Sequence, residues 1–148
     1  MSIPFLAVGL VLISGALLAI QAPMNTTLGR VVGSPVNAAL VSFVVGSVAL
    51  SVLASVLRTA PNLSALRALP WWAWCGGLCG AAFVASAAYA PPRLGVATML
   101  TLGVASQLAA AVVIDHVGAF GVAPRAVTVW RVTGIVLVML GTLLVRRG

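Results

Sequence analysis

The side chains that could do chemistry are few, and each stands within or beside an apolar run. Gln107 lies slightly past the middle of one such run. Its amide both donates and accepts hydrogen bonds, which suits it equally to holding a solute or to bonding a neighbouring helix. Gln21 and Asn25 are four residues apart and share a face if their helix continues that far. Pro23 stands between them. It is expected either to unwind the helix and expose backbone groups to a ligand or to form a plain interfacial cap or kink. Asn37 and Ser42, near the start of the next run, are placed to face the same region. Trp74 and Tyr89 bound a third run; they would serve as an aromatic wall or as interface anchors.

The ionisable groups are fewer still. Asp115 is the one acid and His116 the one histidine. Arg131, at the start of the next run, is expected within reach of Asp115. The pair would clamp a loop or, with His116 as a group that changes charge near neutral pH, relay a proton or a substrate. Asp115 and His116 are adjacent, so on a helix their side chains diverge by about 100°. No further acid or histidine exists to complete a metal site or a hydrolytic centre. Cys75 and Cys79 both fall inside an apolar run and read as small packing residues, because a metal or redox site would want more ligands nearby. No metal, cofactor or enzymatic activity is expected.

The elements that must position these residues follow from composition. Of 148 residues, 62% are hydrophobic and 6% charged, with a mean hydropathy of +1.22. A soluble domain carries about 25% charged residues, so this chain lacks the means to build a polar exterior, and its apolar content excludes disorder. Five segments are long enough to cross a bilayer as helices: about 3–22, 35–57, 71–90, 95–114 and 126–145. The expected fold is all-α, a single transmembrane domain of five helices over 1–148. Short loops carry the breakers Pro23 and Gly33, Pro61, Pro70, Pro91 and Pro92, then Gly118, Gly121 and Pro124. The first segment has no basic residue ahead of it and exceeds a typical signal-peptide core, so it is expected to be a true span, with Pro4 in its first turn. Trp71, Trp72 and Trp74 open the third span, Tyr89 closes it, and Trp130 lies early in the fifth, as interface anchors do. Gly76 and Gly80, and Gly134 and Gly141, are spaced to let helix backbones approach closely.

Orientation is the informative part. The net charge is +7, but the arginines are dispersed at the ends of apolar runs rather than gathered on a face, which argues against nucleic acid. With five spans, one membrane side holds Arg58, Arg67, Arg125 and Arg131. The other holds Arg30, Arg93, Arg146 and Arg147. Four against four gives the positive-inside rule nothing to choose. Either one span is misplaced, or copies insert both ways and pair as an antiparallel homodimer. Such a dimer would reproduce the inverted repeats of many secondary transporters. No internal repeat is evident, so the second half would come from a second chain.

Several stretches, in order, carry a family resemblance: Gln21-Ala22-Pro23-Met24-Asn25-Thr26-Thr27-Leu28-Gly29, Ser34-Pro35-Val36-Asn37 onward to Gly46, Tyr89-Ala90-Pro91-Pro92-Arg93-Leu94-Gly95, Gln107, Asp115-His116-Val117-Gly118, and Arg131 with Gly134. Together they resemble the YdcZ-type family of bacterial inner-membrane proteins in the drug/metabolite transporter superfamily. The resemblance runs nearly end to end. It implies a five-helix transporter unit in the inner membrane, found among relatives as dual-topology homodimers, paired genes or ten-helix fusions, and moving a small metabolite or drug-like solute. The Pro91-Pro92 pair departs from the single proline expected. Small multidrug resistance proteins, similar in architecture, exchange protons for cations through a carboxylate within the membrane. No such acid stands at mid-depth here, so neutral, zwitterionic or anionic solutes fit better, although aromatic rings alone can hold a cation. The alternative is a non-transporting membrane subunit or assembly factor. The expected partners are the lipid bilayer, a small solute, and a second copy or a paired homologous subunit.

Overall fold

The computed structural model describes residues 5–147, and among them there is no strand. Five helices are long and apolar enough to cross a membrane. The expected start of the first span at residue 3, and the place of Pro4 in its first turn, lie outside the described residues. The chain divides into two compact units, which meet in sequence at Pro91 and Pro92.

The first unit packs three long helices, each against the other two: α1 (Phe5–Val31), α2 (Pro35–Val56) and α4 (Gly76–Tyr89). α1 does not end at Ala22. It runs unbroken through Pro23 to Val31, which gives it a length of about 40 Å, more than the roughly 30 Å of a hydrocarbon core. Pro23 cannot donate to the Ala19 carbonyl. In the turn that follows, Thr27 Oγ1 donates to the Pro23 carbonyl at 3.0 Å, and Thr26 Oγ1 to the Ala22 carbonyl at 3.1 Å. The helix continues across Pro23 without a break, so unwinding there is not what the chain does.

The interior of this unit is made of small side chains. Ala22, Ala38, Ala39, Ala87 and Ala88 are buried, while the leucines and valines of the same helices are mostly exposed. Lipid is as apolar as leucine, so close backbone approach and interhelical hydrogen bonds hold such helices together. Thr26 supplies one of these bonds, its hydroxyl also reaching the Ala88 carbonyl of α4 at 3.2 Å. Gly80 supplies a close approach: a Cβ there would stand 3.3 Å from the Phe43 ring of α2. Its partner in the motif, Gly76, faces open space, as do Gly134 and Gly141.

Caps fix the ends. Ser34 precedes Pro35 and accepts from the Asn37 backbone N–H at 3.0 Å. At the other end of α2, Arg58 adopts a left-handed conformation (φ 54°). Arg58 N–H donates to Ser55 O and Thr59 N–H to Ala54 O, the paired bonds of a Schellman cap with arginine where glycine is usual. A short helix, α3 (Leu63–Arg67), is capped by Asn62, and a 3-10 turn (Trp71–Cys75) leads into α4. Pro91 and Pro92 open the single-turn helix α5 (Pro91–Leu94), where missing N–H groups cost nothing.

The second unit pairs α6 (Val96–Val117) with α7 (Val129–Arg147), with a 3-10 turn (Ala119–Gly121) in the connection. α6 extends through Asp115 and His116 and stops at Gly118 in the left-handed region (φ 66°), whose N–H returns to Ile114 O. α7 begins at Val129 rather than near 126. Thr128 sets that start, its Oγ1 and carbonyl accepting from Arg131 and Val132 N–H.

Candidate functional site

In the first unit the polar side chains gather along the α1–α2 seam. Asn25 is 3% exposed, and its Oδ1 accepts a hydrogen bond from the Ser42 hydroxyl. Its Nδ2 has no hydrogen-bond partner. Turning the amide over would pair Nδ2 and orphan Oδ1, so one end stays unpaired either way. A buried donor or acceptor in that condition costs about 1–3 kcal/mol, which makes it exceptional in a native fold.

Asn25 stands in the wall of a hollow of about 480 Å³, within the roughly 300–1,000 Å³ range of small-molecule sites. α1 contributes Gln21, Met24, Asn25 and Leu28 to that wall, one stripe of a helix. α2 contributes Val41, Ser42, Val45 and Gly46. A smaller hollow of about 220 Å³ opens on Gln21, Ser42 and Gly46 too, with Phe43, Ser47 and Val84. A third, along α1, joins Ser14 to Gln21. Gln21 thus borders all three, half-buried. Continuity of α1 past Pro23 is what puts Gln21 and Asn25 on one face. No ionisable side chain lines any of these hollows.

Other expected site residues lie elsewhere. Asn37 is exposed and staples the α1–α2 turn, its Nδ2 donating to the Val32 carbonyl at 2.9 Å; this is a cap role, which the spacing alone did not separate from lining. Trp74 is 59% exposed in the turn ahead of α4, and Tyr89 is 51% exposed at its end; neither lines the seam. Cys75 and Cys79 are free thiols. Among the described residues no three His, Cys, Asp or Glu side chains come together as metal ligands do.

In the second unit Asp115 and Arg131 meet as expected, with Oδ2 and Nη1 3.0 Å apart and both side chains under a third exposed. The Nη1 hydrogens are not aimed at that oxygen or at any other acceptor, so the contact is a charge pair rather than an aligned fork. Asp115 also accepts at its backbone carbonyl from Arg125 N–H at 2.7 Å. Side chain and backbone of one residue therefore tie down both ends of the α6–α7 loop. His116 is exposed and takes no part in the pair. The pair borders a hollow of about 410 Å³ between α6 and α7, walled by Leu108, Val112, Trp130 and Ile135 among others. Gln107, one residue from Leu108, is turned out of that wall. It is exposed, at the midpoint of α6, and its side chain hydrogen-bonds no described residue.

Sequence reasoning missed Thr26 and Gly46. A threonine four residues after a buried alanine, and a glycine four residues after Ser42, were the available signals, and neither is specific.

Residues 6–144 match the family described as "Putative inner membrane exporter, YdcZ". No curated protein and no solved structure matches the chain.

Proposed function

We propose that the chain, which belongs to the family described as "Putative inner membrane exporter, YdcZ", is half of an antiparallel dimer that exports a small solute by alternating access. The observation that carries this reading is Gln107. A side-chain amide exposed at the centre of a membrane-spanning helix cannot be left in hydrocarbon without a cost of several kcal/mol. A second copy or a solute gives it partners. The even sharing of arginines between the two membrane sides supports the antiparallel form, since neither orientation is favoured. Two inverted copies supply ten helices and the pseudo-two-fold axis on which alternating access runs.

In this reading Gln21, Asn25 and Ser42 line a solute site in the first unit, and Gln107 of the second unit is a polar contact for solute or for a second copy. Asp115 and Arg131 hold the α6–α7 loop. The test has two parts. Reporter domains fused after Gly148 are expected to be active on both sides of the membrane; a signal from one side only overturns the dual orientation. A melting-temperature screen of the purified protein against metabolite and drug collections identifies a stabilising solute, and export of that solute should fall on Gln107→Ala. Unchanged export removes Gln107 from the site.

A further inference from the structure

We infer that the hollow between α6 and α7 holds one acyl chain of an anionic phospholipid, with the lipid phosphate drawn to Arg131 and Arg125 at its mouth. The site lies wholly within the second unit and shares no residue with the hollows of the α1–α2 seam. It does not depend on the export reading.

Three observations choose the occupant. The first is depth. The hollow runs from Asp115 and Arg131, at the joined ends of α6 and α7, to Leu108 and Val138. Seven residues along each helix are about 10 Å, and one leaflet supplies roughly 15 Å of hydrocarbon. Below the charge pair the wall is apolar, and Leu108, Ala111 and Gly134 in it are exposed. The hollow therefore opens on the bilayer that two spanning helices must meet. Gly134 makes room for a tail, since a Cβ there meets nothing within 4 Å.

The second observation is charge. Two arginines stand at the mouth against one acid. Arg125 is exposed, and its backbone N–H lies 2.7 Å from the Asp115 carbonyl, which puts its guanidinium within one side-chain length of the pair. Arg131 Nη1 is closed off against Asp115, so a phosphate does not bond that atom. The attraction comes instead from the charge that Asp115 leaves uncancelled, and His116 beside it adds no anion. One arginine near a membrane surface favours an anionic lipid by about fivefold. The third observation is level. Trp130, beside Arg131, is 86% exposed at a helix end, where tryptophan sits among headgroups. A second copy of the chain laid in this hollow would cover the apolar wall and leave the excess cation unanswered. A soluble anion would answer the cation and leave the wall bare. A lipid with a negative head answers both.

The experiment follows the melting temperature of the full chain in neutral detergent as dioctanoyl lipids are added, because a ligand of the folded state stabilises it by mass action. Phosphatidylglycerol should reach half its effect at a concentration about fivefold below phosphatidylcholine, which carries the same tails under a neutral head. Glycerol phosphate, the head without tails, should give no shift. Equal potency of the two lipids, or a full shift with glycerol phosphate, overturns the proposal. Arg125→Gln should raise the phosphatidylglycerol concentration about fivefold. Arg146→Gln removes the same charge about 22 Å away along α7, beyond two Debye lengths, and should change it little. An equal rise in both marks bulk attraction to a cationic protein and overturns the site. Asp115→Asn separates a lipid from a cationic ligand: the lipid-free protein should melt lower, yet less phosphatidylglycerol should be needed. A rise in the amount needed overturns the proposal. Gly134→Leu keeps every charge and fills the hollow. It should fold as the parent does and lose the phosphatidylglycerol preference; a preference that survives places the lipid elsewhere. Finally, Gly134→Cys in a chain with Cys75→Ala and Cys79→Ala should form no disulfide-linked dimer on oxidation with phosphatidylglycerol present. Such a dimer would seat a second copy in the hollow and overturn the assignment to lipid.

Discussion

At the scale of single residues, the seam between α1 and α2 sets a hydrogen-bonded pair, Ser42 and Asn25, inside a wall of apolar side chains. Removing one member leaves the other worse placed. Ser42→Ala strips Asn25 of its remaining partner and is expected to destabilise the protein by about 1–2 kcal/mol, read as a lower melting temperature in detergent. Adding Asn25→Leu should return most of that loss, because two apolar groups need no partner; the non-additivity of the cycle is the measurement. Asp115 and Arg131 obey the same logic with charges. They are 3.0 Å apart and each less than a third exposed, so Asp115→Asn strands a cation and should cost about 1–2 kcal/mol, between the values for exposed and buried pairs. The double variant Asp115→Asn, Arg131→Gln should melt above the single one. The Asp115–Arg131 contact was legible in sequence, since the two residues flank one short loop. The Ser42–Asn25 contact was legible only as a shared region. Which of Asn25 and Asn37 would face the seam depends on helix phase and on where α1 stops, and spacing fixes neither.

At the scale of elements, five long apolar runs announce five helices, because hydrocarbon leaves the backbone no other way to pair its polar groups. Their ends were less legible. A proline normally ends a helix in water, so the first run read as stopping near residue 22; α1 instead runs on to Val31, since Pro23 removes one bond of the ladder and hydrocarbon favours keeping the rest. The start of α7 moved because Thr128 outcompetes earlier residues as a cap. Two of the helix ends with positive-φ residues forecast opposite outcomes. At Gly118 (φ 66°) a Cβ would lie 2.7 Å from Pro124 Cγ. Gly118→Ala therefore meets both backbone strain and a clash with a rigid ring, and should destabilise by about 2–4 kcal/mol. At Arg58 (φ 54°) the strain is already present, and Arg58→Gly should stabilise the end of α2 by about 1 kcal/mol. Thermal unfolding of the two variants side by side tests the pair: a fall for Gly118→Ala and a rise for Arg58→Gly.

At the scale of the whole molecule, the balance of charge biases which way round the helices insert. Most large apolar side chains are exposed in the chain, as lipid-facing side chains are, and in the proposed dimer orientation determines which partner is available. Each arginine near a helix end biases insertion toward keeping its side in the cytoplasm, and the count is four on each side. Changing two on one side breaks the tie. Arg146→Ala with Arg147→Ala leaves four against two, and Arg58→Gly with Arg67→Ala leaves two against four, by the same count. Fusions after Gly148 should then report one side for the first variant and the opposite side for the second. If the working unit is the inverted pair proposed above, differently tagged copies of one biased variant should not purify together, while the two variants co-expressed should. Recovery of same-way pairs as readily as opposite-way pairs would show a parallel dimer, and the inverted repeat would then have to be sought somewhere other than in a second copy of this chain.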